Sequence, residues 1–211
     1  MGKRKVLVCD DHTLMVEGLS VLLEGHPEFE LAGFAHSASE AIQLLESNVP
    51  EVLLLDLNLK ESDGFEVLKV ARERHPALLI IILTMYRDQS LIERARKEGA
   101  NAFLEKSVSN AELFTAMRRD SREPFLLSSR LQEEEQQREN FRDHFAGKMK
   151  LTKREIELIC VLAKGKTTHE AAQLLFLSPY TVETHRKNIF KKLNIKSIIE
   201  LVNFAHENRL C

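Results

Sequence analysis

Cysteine is scarce in this sequence, and its three cysteines are widely spaced at Cys9, Cys160 and Cys211. No C-x-x-C motif or Cys/His cluster accompanies them, so the spacing indicates neither a disulfide framework nor a zinc site. Such cysteine usage is typical of a reducing compartment, and we expect the protein to act in the cytoplasm.

Long hydrophobic runs are also missing. The longest apolar stretches, such as Ala77–Leu83, are far too short to cross a bilayer. The basic start Lys3-Arg4-Lys5 precedes an apolar segment that is too short for a signal peptide. The sequence therefore predicts no membrane partner and no secretion signal.

Charge is unevenly distributed, although the net charge of the chain is only −2. Residues 1–119 contain 14 basic and 19 acidic residues, whereas residues 148–211 contain 12 basic and 6 acidic residues. Between them, residues 120–147 carry 4 basic and 7 acidic residues. An acidic front and a basic tail predict two domains with different partners. The basic domain is a candidate for binding nucleic acid, and a solvated basic face is the alternative.

The first 119 residues alternate short apolar runs with amphipathic segments. The runs that begin at Lys5, Phe29, Val52, Leu78 and Ala102 have the length of buried strands. Each is followed by a segment whose apolar residues recur at helical spacing. Five strands alternating with five helices predict a doubly wound α/β fold with a five-stranded parallel sheet.

Acidic residues follow directly after two of these runs. Asp10 and Asp11 follow the first run, and Asp56 follows the third. In an open α/β sheet, ligands bind outside the carboxyl ends of the strands. Three carboxylates gathered there repel one another unless a cation lies between them, and oxygen ligands without Cys or His suit Mg²⁺. The sequence therefore predicts a Mg²⁺-dependent phosphoryl site.

Two further polar residues end the remaining runs at this edge. Thr84 closes the fourth run, and Lys106 follows the fifth. A hydroxyl donor and an ammonium would offset the charge of a transferring phosphoryl group. Asp56 lies between the others in the expected strand order and is the natural nucleophile, which would give an aspartyl phosphate. A single aspartate after a strand is usually a turn residue or a helix cap, but the combination at four strand ends favours a site.

The sequence changes character after residue 119. The segment from Gln132 to Asn140 is almost wholly polar, and we expect a partly helical linker over residues 120–147, with a disordered segment as the alternative. From residue 148 the pattern is only helical and predicts a small domain of four helices. A short helix over Glu170–Leu177 and a helix that starts at Ser178-Pro179 would form a helix-turn-helix.

The helix that starts at Pro179 has two different faces. Val182, Ile189 and Leu193 form a narrow apolar stripe, while polar and cationic residues lie opposite. Such a helix can enter the major groove of DNA, although an ordinary amphipathic helix would also explain the stripe. The expected DNA contacts are Tyr180, Thr181, Glu183, Thr184, Arg186, Lys187, Asn188 and Lys191.

Residues 3–119 resemble the flavodoxin-like receiver domain of two-component response regulators. The matching residues are Asp10-Asp11, Asp56-Leu57-Asn58-Leu59, Asp63-Gly64, Thr84 and Phe103-Leu104-Glu105-Lys106. The resemblance implies that Asp56 accepts a phosphoryl group from a sensor histidine kinase. It also implies that Mg²⁺ binds Asp11, Asp56 and the backbone carbonyl of Asn58, with Asp10 assisting.

The same resemblance implies a conformational switch. Thr84 and Phe103 match the pair that reorients on phosphorylation, with Thr84 drawn toward the phosphoryl group and Phe103 turning inward. Lys60 and Ser107 stand where the family often has proline. Neither departure removes a reacting group.

Residues 151–210 resemble the four-helix DNA-binding domain of the LuxR/NarL type. The matching residues are Leu151-Thr152-Lys153-Arg154-Glu155, Gly165, Glu170-Ala171-Ala172, Leu177-Ser178, Thr181-Val182-Glu183-Thr184-His185, Asn188-Ile189 and Lys192-Leu193. In that family the last helix, here around Ile198–Ala205, often supplies a dimer contact.

Together the two resemblances imply a DNA-binding response regulator that controls transcription. The expected parts are a receiver at residues 3–119, a linker at 120–147 and a DNA-binding domain at 148–211. The expected partners are a sensor histidine kinase, double-stranded DNA and, when phosphorylated, a second copy of the chain. We expect no substrate turnover apart from slow autodephosphorylation.

Two other functions remain open from the residues alone. A phosphatase of the haloacid dehalogenase type also uses a strand-end aspartate with Mg²⁺, but Asp10-Asp11-His12-Thr13 lacks its Asp-x-Asp-x-Thr spacing. An interaction adaptor whose helical domain never meets DNA is the second alternative. Turnover of a phosphate ester would favour the first, and failure to bind random duplex DNA at low salt would favour the second.

Overall fold

The computed structural model describes residues 2–59, 62–208 and 210–211. The chain divides into two compact units, Met1–Gln132 and Glu133–Cys211. Lys60, one of the two departures from the family pattern, lies outside the described residues. In the described part of the chain, no helix is both long and apolar enough to cross a membrane.

The first unit alternates strands and helices. In chain order its elements are β1 (Arg4–Cys9), α1 (Thr13–Leu23), β2 (Phe29–Ala35), α2 (Ala38–Asn48), β3 (Val52–Leu55), β4 (Asn58–Leu59), β5 (Ser62–Asp63), α3 (Gly64–Arg74), β6 (Leu79–Thr84), α4 (Gln89–Lys97), β7 (Ala102–Glu105), α5 (Asn110–Met117) and β8 (Leu126–Leu127). The main sheet is parallel with the order β2-β1-β3-β6-β7-β8. The doubly wound α/β prediction is confirmed.

The sheet has one strand more than the five expected. Leu126 and Leu127 pair in parallel with Ala102 and Phe103, within a segment that the sequence suggested was linker. Leu127 is buried, and the amide of Ser128 donates to the carbonyl of Phe103 at 3.2 Å. A two-residue strand is too short to show a period of two, so its sequence carried no strand signal.

Two apolar layers enclose the sheet, because successive strand residues point to opposite faces. Leu53 and Ile80 lie in one layer, whereas Leu54 and Ile81 lie in the other. All four side chains are at most 1% exposed. The central strands are thus buried on both faces, which explains their continuous apolar sequence.

The second unit is helical. Its elements are most of α6 (Ser129–Met149), followed by α7 (Lys153–Ala163), α8 (Thr168–Leu174), α9 (Pro179–Leu193) and α10 (Ile198–Glu207). Leu158, Ile159, Val182, Ile189 and Leu201 form the fully buried centre of its core. Helix α8 ends one turn earlier than expected, because Phe176 takes a positive φ of 53° and breaks the helix.

The second unit also contains a disulfide between Cys160 of α7 and Cys211. The cysteine spacing indicated no disulfide framework, so this pair was not predicted. The two residues are 51 positions apart in the chain, and packing of α10 against α7 brings the chain end back to Cys160. Sequence spacing alone cannot report such a long-range approach.

Candidate phosphoacceptor and DNA-binding sites

Two of the expected carboxylates emerge side by side from the sheet. Strands β1 and β3 pair in parallel with Cys9 opposite Leu55, so Asp10 and Asp56 follow at the same level. The amide of Asp56 donates to the carbonyl of Cys9 at 2.9 Å. Asp10 is 2% exposed and Asp56 is 3% exposed. Two carboxylates with so little solvent around them need cationic or hydrogen-bond partners.

Lys106 supplies one such partner. Its Nζ atom lies 2.7 Å from Oδ2 of Asp10 and 2.7 Å from Oδ2 of Asp56. Burial disfavours the ammonium, but the hydrogen bonds to Asp10 and Asp56 outweigh that cost and raise the pKa of Lys106 above its ordinary value. Lys106 is therefore a fixed positive charge between two carboxylates.

Four side chains form a cluster that could hold a metal ion. Donor atoms of Asp10, Asp11, His12 and Asp56 all lie within 4.8 Å of one another. Three of them are carboxylates, whose hard oxygens fit a small divalent cation such as Mg²⁺. The same carboxylates, together with burial, raise the pKa of the neighbouring Cys9 thiol to about 12, with burial the largest cause.

His12 is the member of this cluster that the sequence interpretation missed. Its Nδ1 atom lies 2.8 Å from Oδ1 of Asp11 and 3.1 Å from Oδ1 of Asp10. Its backbone amide also donates to Oδ1 of Asp10 at 2.9 Å. The signal for its inclusion was its position directly after the acidic pair, at the start of α1.

Backbone hydrogen bonds keep the residues after Asp56 close to the site. The amide of Asn58 donates to Oδ1 of Asp56 at 3.2 Å, and the amide of Gly64 donates to the carbonyl of Leu57 at 3.1 Å. A Cβ atom on Gly64 would lie 2.4 Å from the carbonyl oxygen of Asp56. Only glycine therefore lets α3 begin this close to the site.

Thr84 and Phe103 are both buried. The hydroxyl of Thr84 accepts from the amide of Tyr86 at 3.4 Å, and the carbonyl of Thr84 accepts from the amide of Lys106 at 2.9 Å. Phe103 is 0% exposed and lies in the core layer that contains Ile92 and Leu127. The resemblance implied that Phe103 turns inward on phosphorylation, whereas this side chain is already buried in the structure.

An ion pair between exposed Arg87 and buried Glu105 lies next to these residues and was not expected. Glu105 is 3% exposed and pairs with Arg87, which follows β6 in the segment before α4. Glu105 is thus a charged residue at an inward position of β7. The sequence shows Glu105 directly before Lys106, but it does not show that the Glu105 side chain is buried.

Helix α9 begins as the sequence predicted. Ser178 is its N-cap and accepts from the amide of Thr181 at 3.0 Å, while Pro179 occupies the first turn. Val182 and Ile189 are fully buried and Leu193 is partly buried, so the apolar stripe faces the core. The opposite face of the helix is exposed.

The eight expected DNA contacts fall into two groups. Five are exposed: Tyr180, Thr184, Lys187, Asn188 and Lys191. The other three are partly buried and contact their own unit: Thr181, Glu183 and Arg186. Oε1 of Glu183 accepts from the hydroxyl of Thr168 at 3.0 Å and lies 3.2 Å from Nη1 of Arg186. Glu183 thus contacts both α8 and its neighbour on α9.

Each unit of the chain matches a known protein family. Residues 6–118 match the family described as the response regulator receiver domain. Residues 149–205 match the bacterial regulatory proteins of the luxR family. Both matched families are regulatory.

Curated relatives match nearly the whole chain. The transcriptional regulatory protein LiaR of Bacillus subtilis is 35% identical over 214 residues, which cover 98% of each protein. The oxygen regulatory protein NreC of Staphylococcus carnosus is 32% identical over 216 residues, again covering 98% of each. The agreement therefore includes both units and the segment between them.

Solved structures share the fold. A LuxR-family two-component response regulator from an Aurantimonas species has a TM-score of 0.58 at 26% identity, covering 63% of this chain and 94% of that chain. The RcsB response regulator of Salmonella typhimurium has a TM-score of 0.57 at 24% identity, covering 98% of this chain and 99% of that chain.

Proposed function

Because this chain belongs to the two-component response regulators with a LuxR-type DNA-binding domain, we propose that phosphorylation of Asp56 controls DNA binding by α9 and thereby transcription. The observation that carries the proposal is the position of Asp56. It is buried at the carboxyl edge of the sheet, beside a second carboxylate, with the ammonium of Lys106 at 2.7 Å.

The proposed reaction transfers a phosphoryl group from a kinase histidine to Asp56. A carboxylate oxygen of Asp56 forms a bond to phosphorus, the phosphorus–nitrogen bond breaks, and the departing imidazole keeps the electron pair. Lys106 stabilises negative charge on the transferred group, and Thr84 donates a hydrogen bond to it. Thr84 and Phe103 remain our proposed switch pair; because Phe103 is already buried, the change we propose on phosphorylation is the movement of Thr84 toward the phosphoryl group.

The acidic cluster is the proposed Mg²⁺ site. Asp10, Asp11 and Asp56 would hold the ion together with the backbone carbonyl of Asn58. When bound, Mg²⁺ would neutralise charge on the phosphoryl oxygens. We expect slow hydrolysis of the aspartyl phosphate afterwards, without turnover of phosphate esters.

The proposed partners follow from the two families. A sensor histidine kinase would supply the phosphoryl group to a receiver at residues 3–119, and residues 148–211 would bind double-stranded DNA, most strongly as a homodimer. Residues 120–147 would link the two. Since a transcription regulator must reach the chromosome, we place this action in the cytoplasm.

Intact-mass measurement with acetyl phosphate and Mg²⁺ tests the phosphoacceptor. The native chain should gain one phosphoryl group, and Asp56→Asn should gain none, because an amide is a poor nucleophile. Asp10→Asn is the matched variant, since it also removes one buried carboxylate beside Lys106 but leaves the nucleophile in place. An adduct that persists in Asp56→Asn and disappears in Asp10→Asn would overturn the assignment.

DNA titration tests the second half of the proposal. Phosphorylated protein should bind its genomic sites more tightly than unphosphorylated protein, and Asp56→Asn should not respond to acetyl phosphate. Genomic fragments recovered with the protein would supply the duplexes. Equal affinity of all forms for these fragments would contradict control of DNA binding through Asp56.

A further inference from the structure

The two cysteines of the helical unit lie in a position that permits oxidation and reduction. Their Cα atoms are 5.1 Å apart, within the range that a disulfide requires. Cys160 is partly buried on α7, and Cys211 is exposed. Cys211 is therefore the member of the pair that is more open to solvent. Cys9, in contrast, is fully buried in the other unit.

The segment that carries Cys211 is held in place by contacts other than the sulfur–sulfur bond. Leu210 is 0% exposed and packs in the core of the helical unit. Its amide donates to the carbonyl of Ala205 at 3.0 Å, and its carbonyl lies 3.2 Å from Sγ of Cys160. A thiol at Cys160 can donate to that carbonyl. Because these contacts do not depend on the sulfur–sulfur bond, we expect them to keep Cys211 near Cys160 in the dithiol form as well.

We propose that Cys160 and Cys211 are a reversible oxidation site that responds to low-molecular-weight disulfides. The thiolate of Cys211 attacks one sulfur of the small disulfide and releases the first small thiolate. The thiolate of Cys160 then attacks the sulfur of Cys211 and releases the second. Two cysteine thiols are oxidised, one small disulfide is reduced to two thiols, and the two cysteine protons leave with them. An excess of small thiol reverses the reaction.

The bond affects the elements that form the DNA-binding unit. It closes a loop that contains α8, α9 and α10, and it ties the residues after α10 to α7. A disulfide around a loop of this length disfavours the unfolded chain. Neither cysteine belongs to α9, so oxidation should stabilise the unit without altering the exposed face of that helix.

Mass spectrometry of the full chain tests whether the site forms. After treatment with oxidised glutathione, the native chain should lose two hydrogen masses. After the remaining free thiol is trapped, peptide mapping should join Cys160 to Cys211. Cys9→Ser should behave like the native chain. Cys211→Ser should instead carry at most one glutathione adduct. Separate adducts on both cysteines, or a bond between two chains, would overturn the proposal.

Hydrogen exchange of the full chain tests the consequence. Oxidation should slow exchange in peptides from α7 and α10 by at least about tenfold and leave the sheet unit unchanged. Cys211→Ser and Cys160→Ser should show no such difference between oxidising and reducing conditions. Formation of the bond without slower exchange would overturn the stabilising role.

Discussion

The ammonium of Lys106 lies 2.7 Å from Oδ2 of Asp56, although strand β6 separates their strands in the sheet. The side chain of Lys106 spans this gap and also meets Oδ2 of Asp10 at 2.7 Å. A single cation thus pairs with two buried carboxylates. Asp56 thus accepts a hydrogen bond from a residue 50 positions away in the chain.

Removal of this cation should destabilise the receiver unit. Lys106→Met leaves Asp10 and Asp56 buried without their ammonium, and we expect a loss of about 3 kcal/mol in the free energy of unfolding. Mg²⁺ should restore part of this loss, because it binds the same carboxylates. Urea unfolding with and without Mg²⁺ measures both effects. Lys69→Met, at an exposed position of α3, is the matched control and should change little. If Lys106→Met and Lys69→Met had equal free energies of unfolding, the stabilising role of the Lys106 ion pairs would be contradicted.

Much of this site could be predicted because strand ends can be recognised in the sequence. The runs before Asp10 and Asp56 are continuous and apolar, so their ends marked the edge of the sheet. The position of Lys106 followed from the same rule. His12 and Glu105 were missed because their roles depend on side-chain direction and burial, which a single sequence does not report. The Cys160–Cys211 pair was missed because it depends on how α7 and α10 pack.

The Arg87–Glu105 pair permits a double-mutant test. Arg87→Met leaves Glu105 buried and unpaired, so it should lower the free energy of unfolding by about 2 kcal/mol. Adding Glu105→Leu should recover most of the loss, since an apolar pair of similar size avoids the desolvation cost. Urea unfolding of the native chain, both single variants and the double variant gives the interaction free energy between Arg87 and Glu105. Additive effects of the two substitutions would show that the ion pair does not contribute.

Acid should weaken the helical unit through Glu155. This residue is 3% exposed, and its Oε2 atom lies 2.6 Å from Nζ of Lys192. Burial opposes its charge, but Lys192 and the Thr152 cap outweigh burial and hold the pKa of Glu155 below its ordinary value of 4.5. The lowered pKa contributes stability above pH 4.5 that is lost as the pH falls through the folded value.

Glu155→Gln isolates this contribution. The amide can still cap the helix but carries no charge, so the variant should be about 1 kcal/mol less stable at neutral pH. The difference from the native chain should shrink once the pH falls below 4.5, the ordinary pKa of the group. Segment-resolved hydrogen exchange of α7 across this range provides the measurement. A constant difference at all pH values would mean that the effect of the substitution is independent of ionisation.

Lys187 should contribute to DNA affinity through its charge. It is exposed on α9, on the side away from the buried Val182 and Ile189. If it contacts a phosphate, Lys187→Ala should reduce the salt slope of log K by about one per subunit. If it reads a guanine, the loss should be about 1–3 kcal/mol and confined to particular sequences. Lys164→Ala removes another exposed charge, after α7, and is the control. Equal effects of both substitutions would indicate general attraction rather than a contact by α9.

Phosphorylation should act by shifting a monomer–dimer equilibrium rather than by forming α9. The helical unit has its own caps and core, so its DNA-binding helix exists before phosphorylation.

Ile199 on α10 is 69% exposed and is our candidate dimer contact. Ile199→Asp should therefore reduce dimerisation on DNA while each monomer keeps weak affinity, because two linked half-site contacts gain from effective concentration. Sedimentation and DNA titration with a beryllofluoride phosphoryl mimic measure both quantities, with Lys196→Asp as an exposed control outside the helix. A native chain that stays monomeric with the mimic and still gains DNA affinity would contradict the dimer mechanism, since the gain would then arise within one chain.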